Sequence, residues 1–176
     1  MQNTSLARAR VVGAVVLILS CVILGWAQSP SPAPGKAQKE SVVTSHASGT
    51  FEVKVTPQPQ DETSDPTLAR LSIDKQFHGD LEATSKGQML AASTSVKGSA
   101  GYVAIERVTG TLAGRKGSFT LQHIGTMTRG TPQVNVSVVP DSGTDQLVGL
   151  AGTMKIKIEN GKHFYEFNYI ITEPNP

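Results

Sequence analysis

The chain has 176 residues, with 16 lysines and arginines against 14 aspartates and glutamates, and its one cysteine is Cys21. That length accommodates one domain of ordinary size once leader and linker are set aside. A formal charge of +2 without a basic cluster gives no electrostatic reason to expect a nucleic-acid partner, and a lone thiol supplies no disulfide framework.

The N-terminus reads as a signal peptide over residues 1–27. Arg8 and Arg10 precede the apolar run 11–24, and Gly25-Trp26-Ala27 places small residues two apart for cleavage after Ala27. The expectation is a secreted or periplasmic protein. Two alternatives stay open: an uncleaved anchor, although the run is short for a span of ~20 residues, and a lipoprotein centred on Cys21. Contact with a membrane is expected only if this segment is retained. Cleavage would leave 14 basic and 14 acidic residues, since only the two arginines go, and no thiol.

Residues 28–48, beginning QSPSPAPGKAQKE, are expected to form a flexible linker, because Pro, Ser and Ala bury too little apolar surface to offset the entropy of ordering them. From there to residue 173 the pattern is β throughout. Phe51, Val53 and Val55 alternate with Glu52, Lys54 and Thr56 up to Pro57, and the acidic stretch QPQDETSDP is a loop. Next, Leu71, Ile73 and Phe77 share one face, with Arg70, Ser72, Asp74 and Gln76 on the other. A turn at His78-Gly79-Asp80 leads into a weaker strand over 81–90, interrupted by Lys86-Gly87; the small, polar stretch 91–101 gives no clear reading.

A stronger strand over 102–111 enters a hairpin whose turn is read as Gly-Arg-Lys-Gly, residues 114–117, and whose second arm alternates Phe119, Leu121 and His123 with Ser118, Thr120 and Gln122. Residues 133–139 (QVNVSVV) form a β-branched strand ending at the turn Pro140-Asp141-Ser142-Gly143. The segment 147–159 follows, and Asn160-Gly161 is a type I′ turn signal before a last strand carrying Tyr165, Phe167, Tyr169 and Ile171 on one face. About eight strands joined by short connections, with no helix, make an antiparallel meander. Closure into a barrel removes its edges, and a two-sheet sandwich is the alternative. A barrel of ~8 strands has room for packed side chains or one small ligand.

The face of Tyr102, Ala104, Glu106 and Val108 makes Glu106 the candidate for a desolvated carboxylate whose pKa burial would raise, and so for proton transfer or stabilisation of positive charge. His123, on the Phe119 and Leu121 face, is the candidate buried histidine; the plainer readings are that Glu106 faces outward, or inward while paired to the neighbours of Arg107 or to a lysine across the sheet, and that His123 is a hydrogen-bonded core residue. His78 and His163 sit beside turns, and no two histidines have a zinc spacing on one strand. Neither a metal nor a cofactor is implied. Ser142-Gly143-Thr144-Asp145 lacks both the nucleophile-elbow and the phosphate-loop context, and reads as a turn that fixes register.

The runs FHGDLEATSKGQML (77–90), YVAIERVTGTLAGRKGSFTLQHIGTM (102–127), VVPDSGTDQLVGLAGTMKI (138–156) and HFYEFNYII (163–171) resemble, in order, a bacterial domain of unknown function placed in the allene oxide cyclase-like barrel superfamily. The resemblance covers roughly residues 49–173 and implies an all-β, closed antiparallel barrel of eight strands. It implies no activity, and no stretch matches the active-site motif of the plant cyclases or of dirigent proteins. The leading functional expectation is therefore an exported barrel that binds a small apolar or amphipathic molecule among Tyr102, Glu106, Phe119, His123, Tyr165, Phe167 and Tyr169. The alternative is an isomerase or cyclase-like enzyme using Glu106, and a homo-oligomer is a third outcome.

Overall fold

A computed structural model describes residues 43–59 and 65–172. The leader, the linker up to residue 42, part of the acidic loop and the last four residues lie outside them. The strands are β1 (Ser45–Pro57), β2 (Leu68–Gly79), β3 (Leu81–Ser93), β4 (Ala100–Leu112), β5 (Arg115–Thr128), β6 (Thr131–Val138), β7 (Leu150–Glu159) and β8 (Lys162–Ile171), with one 3-10 turn at Asp145–Leu147. Each strand pairs antiparallel with the next, and β1 pairs with β8, closing an eight-stranded barrel. The sandwich alternative is thereby set aside.

Alternation fills the barrel. Every second residue of a strand points inward, and the buried set Phe77, Leu81, Val108, Leu112, Phe119 and Phe167 follows that parity on five strands. At one pole these side chains pack ring against ring: Phe119 stacks on Phe167 at 5.8 Å between ring centroids, and Phe167 lies 5.2 Å from Tyr169. Each buried ring of this size contributes about 1.5–3 kcal/mol. The 3-10 turn caps the same pole by laying Leu147, 1 % exposed, over Gly117.

The other pole is looser. Val134 on β6 and Ile158 on β7 have inward parity yet are 47 % and 64 % exposed. The cause lies in the wall between them: β6 and β7 share only the facing pairs Val136↔Met154 and Ser137↔Thr153. By contrast, β3–β4 and β4–β5 are paired along their whole lengths. Beyond Val136, residues 131–135 pair with β5 alone, and residues 155–159 with β8 alone.

Four local expectations change. The strand expected from about residue 50 begins at Ser45, because Ala47 is fully buried and residues 45–51 pair with β8; Ser, Ala and Gly carry little intrinsic β signal, and pairing overrides it. The hairpin turn is Ala113-Gly114, with φ of 47° and 82°, and Arg115 to Gly117 already belong to β5. Lys86-Gly87 does not interrupt β3, which pairs without a break with β2 and β4. Finally, β7 begins at Leu150, since 145–147 form the capping turn. The unassigned stretch 91–101 resolves into the end of β3, a tight turn held by the Ser99 N–H donating to the Val96 carbonyl at 3.0 Å, and the start of β4.

Candidate functional site

Four adjacent strands each contribute one inward polar residue. Lys75 lies between Ile73 and Phe77 on β2 and faces Ser85 of β3 across the ladder; Glu106 of β4 faces Gly87; His123 of β5 faces Ala104. Gly87 is what lets the Glu106 backbone sit so close, since a Cβ there would lie 2.8 Å from the Ile105 carbonyl oxygen and 3.2 Å from Glu106 Cα. The four converge on one carboxylate. Lys75 Nζ donates to Glu106 Oε2 at 2.6 Å, the Ser85 hydroxyl donates to Oε1, and His123 Nε2 lies 2.9 Å from Oε2. Glu106 is fully buried, and Lys75, Ser85 and His123 are at most 8 % exposed. The Lys75 ammonium also lies 5.0 Å from the Phe51 ring centroid and 5.6 Å from that of Phe77, so two aromatic faces share its charge.

Burial is the largest single influence on Glu106 and opposes its ionisation, but the His123 ring, the Lys75 charge and the Ser85 hydroxyl together outweigh it. The carboxyl is held down at about 2. The expectation that burial would raise it is reversed, because the lysine across the sheet supplies the compensating charge. Burial, with the Glu106 charge second, pushes the Tyr102 phenol up. His123 Nε2, 2.9 Å from Oε2, sits against the carboxylate opposite the Lys75 ammonium, and its ring is the largest of the influences that lower the Glu106 carboxyl.

The residues singled out in the sequence divide between the poles. Glu106, His123 and Tyr102 lie toward the loose one, where the Tyr102 ring lies over Gly125. Phe119, Tyr165, Phe167 and Tyr169 belong to the close-packed interior, and the Tyr165 hydroxyl is committed: it accepts from the Leu81 N–H at 2.8 Å and donates to the His78 carbonyl at 3.3 Å. Lys75 and Ser85 escaped the sequence reading, although the parity of Ile73 and Phe77 marks position 75 as inward. His78 lies between Glu52 and Glu82 at the surface, and the His163 ring packs 5.0 Å from Phe51. Among the described residues no three His, Cys, Asp or Glu side chains gather at a metal-binding distance. Ser142 spends its hydroxyl on the Thr120 N–H and the Val139 carbonyl, so it holds a turn. On the outer wall, Leu90, Val103, Ile105 and Ile124 flank an open groove of about 410 Å³ with Gln88 and Gln122.

Residues 47–169 match the family described as Protein of unknown function (DUF3224). The chain belongs to the DUF3224 family. A solved structure from that family, a protein of unknown function from Shewanella oneidensis MR-1, is 51 % identical to this DUF3224 chain; the match covers 74 % of this chain and 100 % of that one, with a TM-score of 0.69. No curated protein matches the sequence. The family's description names no activity, so for this DUF3224 barrel the chemistry must be argued from the inward polar cluster itself.

Proposed function

We propose that this barrel is an exported binding protein for a small apolar or amphipathic molecule, held at the loose pole against the Lys75, Ser85, Glu106 and His123 cluster. One observation carries the reading: a lysine, a serine, a glutamate and a histidine gathered around one carboxylate inside the barrel, each at most 8 % exposed. A barrel serving only as a stable module would be filled at less desolvation cost by apolar residues. A few fixed polar groups set among apolar side chains are instead what ligand sites are built from. Kinship with the allene oxide cyclase-like barrels is part of the same proposal, supported by the strand count and the closed antiparallel meander.

The isomerase or cyclase alternative draws less support. A carboxyl held at about 2 has no proton to give near neutral pH and is a weak base there, so Glu106 would serve only to stabilise positive charge. Export rests on the leader, with its arginines, apolar run and small-residue site. Native mass spectrometry of the purified protein after exposure to cell extract tests binding. A one-to-one adduct released on unfolding is expected, and protein without adduct from every extract fraction overturns the reading. Intact mass of the exported product tests the leader, a chain beginning at Gln28 being the expected result.

A further inference from the structure

We infer that the outer wall of β3, β4 and β5 is a self-association surface, and that it takes a second copy of this chain across a two-fold axis running along β4. The inference goes beyond the binding reading and does not depend on it, since this face lies outside the barrel. Register builds the surface. Leu90, Val103 and Ile124 face one another in a row across the three strands, and Gln88, Ile105 and Gln122 form the next row. The four apolar side chains point outward, and each is at least 50 % exposed. With the row from Ala92 to Gln133, three successive rows of outward positions from β3 to β6 carry no charge. The rest of the wall differs: outward positions on β1, β7 and β8 include Glu52, Lys54, Lys155, Lys157 and Glu166, all exposed.

The chemistry of the face selects a second copy as its occupant. A two-fold axis along β4 lays β3 of one protomer over β5 of its partner, so that each row meets itself. The apolar row then packs on an apolar row, and Gln88 comes opposite the partner subunit's Gln122. A carboxamide both donates and accepts, so a glutamine satisfies a glutamine, whereas a row of charges would meet its own sign. The cations at the margin are held within their own chain: Lys86 pairs with Asp74 at 3.3 Å, and Arg107 donates to Ser118, Thr120 and the Ser142 carbonyl. Size sets the strength. With strands ~4.8 Å apart and same-face neighbours ~6.8 Å apart, four strands by three rows span about 20 Å by 20 Å, or ~400 Å² on each copy. That reaches the few-hundred-Å² scale at which an apolar patch marks an association site, and is about half of the ~800 Å² per partner found in stable complexes. The dimer is therefore reversible, and the two-fold axis stops assembly at two copies.

Sedimentation equilibrium of the purified exported chain, from ~1 to ~500 µM, tests the surface. A monomer–dimer equilibrium with a Kd of roughly 10–100 µM is expected, and added salt should not weaken it, because no ion pair crosses the face. Ile105→Glu places like charges opposite one another at the axis and should weaken the dimer at least about a hundredfold, with an unchanged melting curve because the side chain is exposed. Val148→Glu, exposed beside the capping turn, should change nothing. Ile105→Lys should be as monomeric as Ile105→Glu, and mixing the two variants should restore a one-to-one heterodimer. Protein that stays monomeric over the whole range overturns the inference, and so does a dimer indifferent to Ile105→Glu. A monomer that floats with neutral phosphatidylcholine vesicles, and ceases to as Ile105→Glu, overturns the dimer and gives the face to a membrane surface. Failure of the mixed variants to pair, where the parent dimerises and each variant alone does not, overturns the axis along β4. None of these outcomes bears on the ligand reading, which native mass spectrometry decides separately.

Discussion

At the scale of single residues, the Lys75 and Glu106 pair dominates. Replacing Glu106 by Gln leaves a buried ammonium without its anion, and breaking such a pair costs about 3–5 kcal/mol. Urea unfolding should show that loss. Lys75→Met combined with Glu106→Leu should recover most of it, since neither charge is then stranded. The same pair sets an acid limit. Because the folded carboxyl is held at about 2, the unfolded chain takes up the proton first as pH falls. The stabilisation, on the order of 3 kcal/mol, is therefore complete above pH ~4.3 and is lost as the pH drops through ~2. Chemical denaturation across that window should trace it, and the Lys75→Met/Glu106→Leu protein should show a flatter profile. Half of this site could be read from the sequence. The parity of Tyr102, Ala104 and Val108 turned Glu106 inward, and that of Phe119 and Leu121 did the same for His123. Its partners could not be read, because the Lys75 contact spans two strands and depends on register, and because Ser85 has no sequence mark that separates it from any other small polar strand residue.

At the scale of elements, the hairpins with explicit turn chemistry were the legible ones. Asn160 and Gly161 have φ of 50° and 76°, as the Asn-Gly pair requires, and a Cβ at Gly161 would meet nothing within 4 Å. Gly161→Val should therefore cost backbone strain alone, about 1–3 kcal/mol, readable as a lower urea midpoint with an unchanged slope. The β4–β5 turn was misplaced for a related reason. Two glycines bracket Arg115-Lys116, but the turn uses the first of them after Ala113, whose own positive φ no composition rule announces. The weak strands were hardest to bound. Residues 86–87 hold their place through ladders on both sides, and residues 45–48 through the β8 ladder, not through their own preference for extended backbone.

At the scale of the whole molecule, the barrel is a closed meander with one imperfect seam, and its slow motions should begin there. Backbone groups of residues 131–135 and 155–159 that face the seam lack a ladder partner across it. Hydrogen exchange should accordingly be fastest along this line and slowest in β3, β4 and β5, where pairing is unbroken. A uniform exchange profile around the barrel would contradict this view. The closing seam, where Ser45 faces Tyr169, brings the first and last strands side by side at the close-packed pole. The order in which the strands are synthesised is then nearly arbitrary. A circular permutant that joins residue 172 to residue 43 by a few glycines and serines, and opens between Asn160 and Gly161, should assemble the same eight staves beginning with β8, with native-like circular dichroism and a cooperative melt.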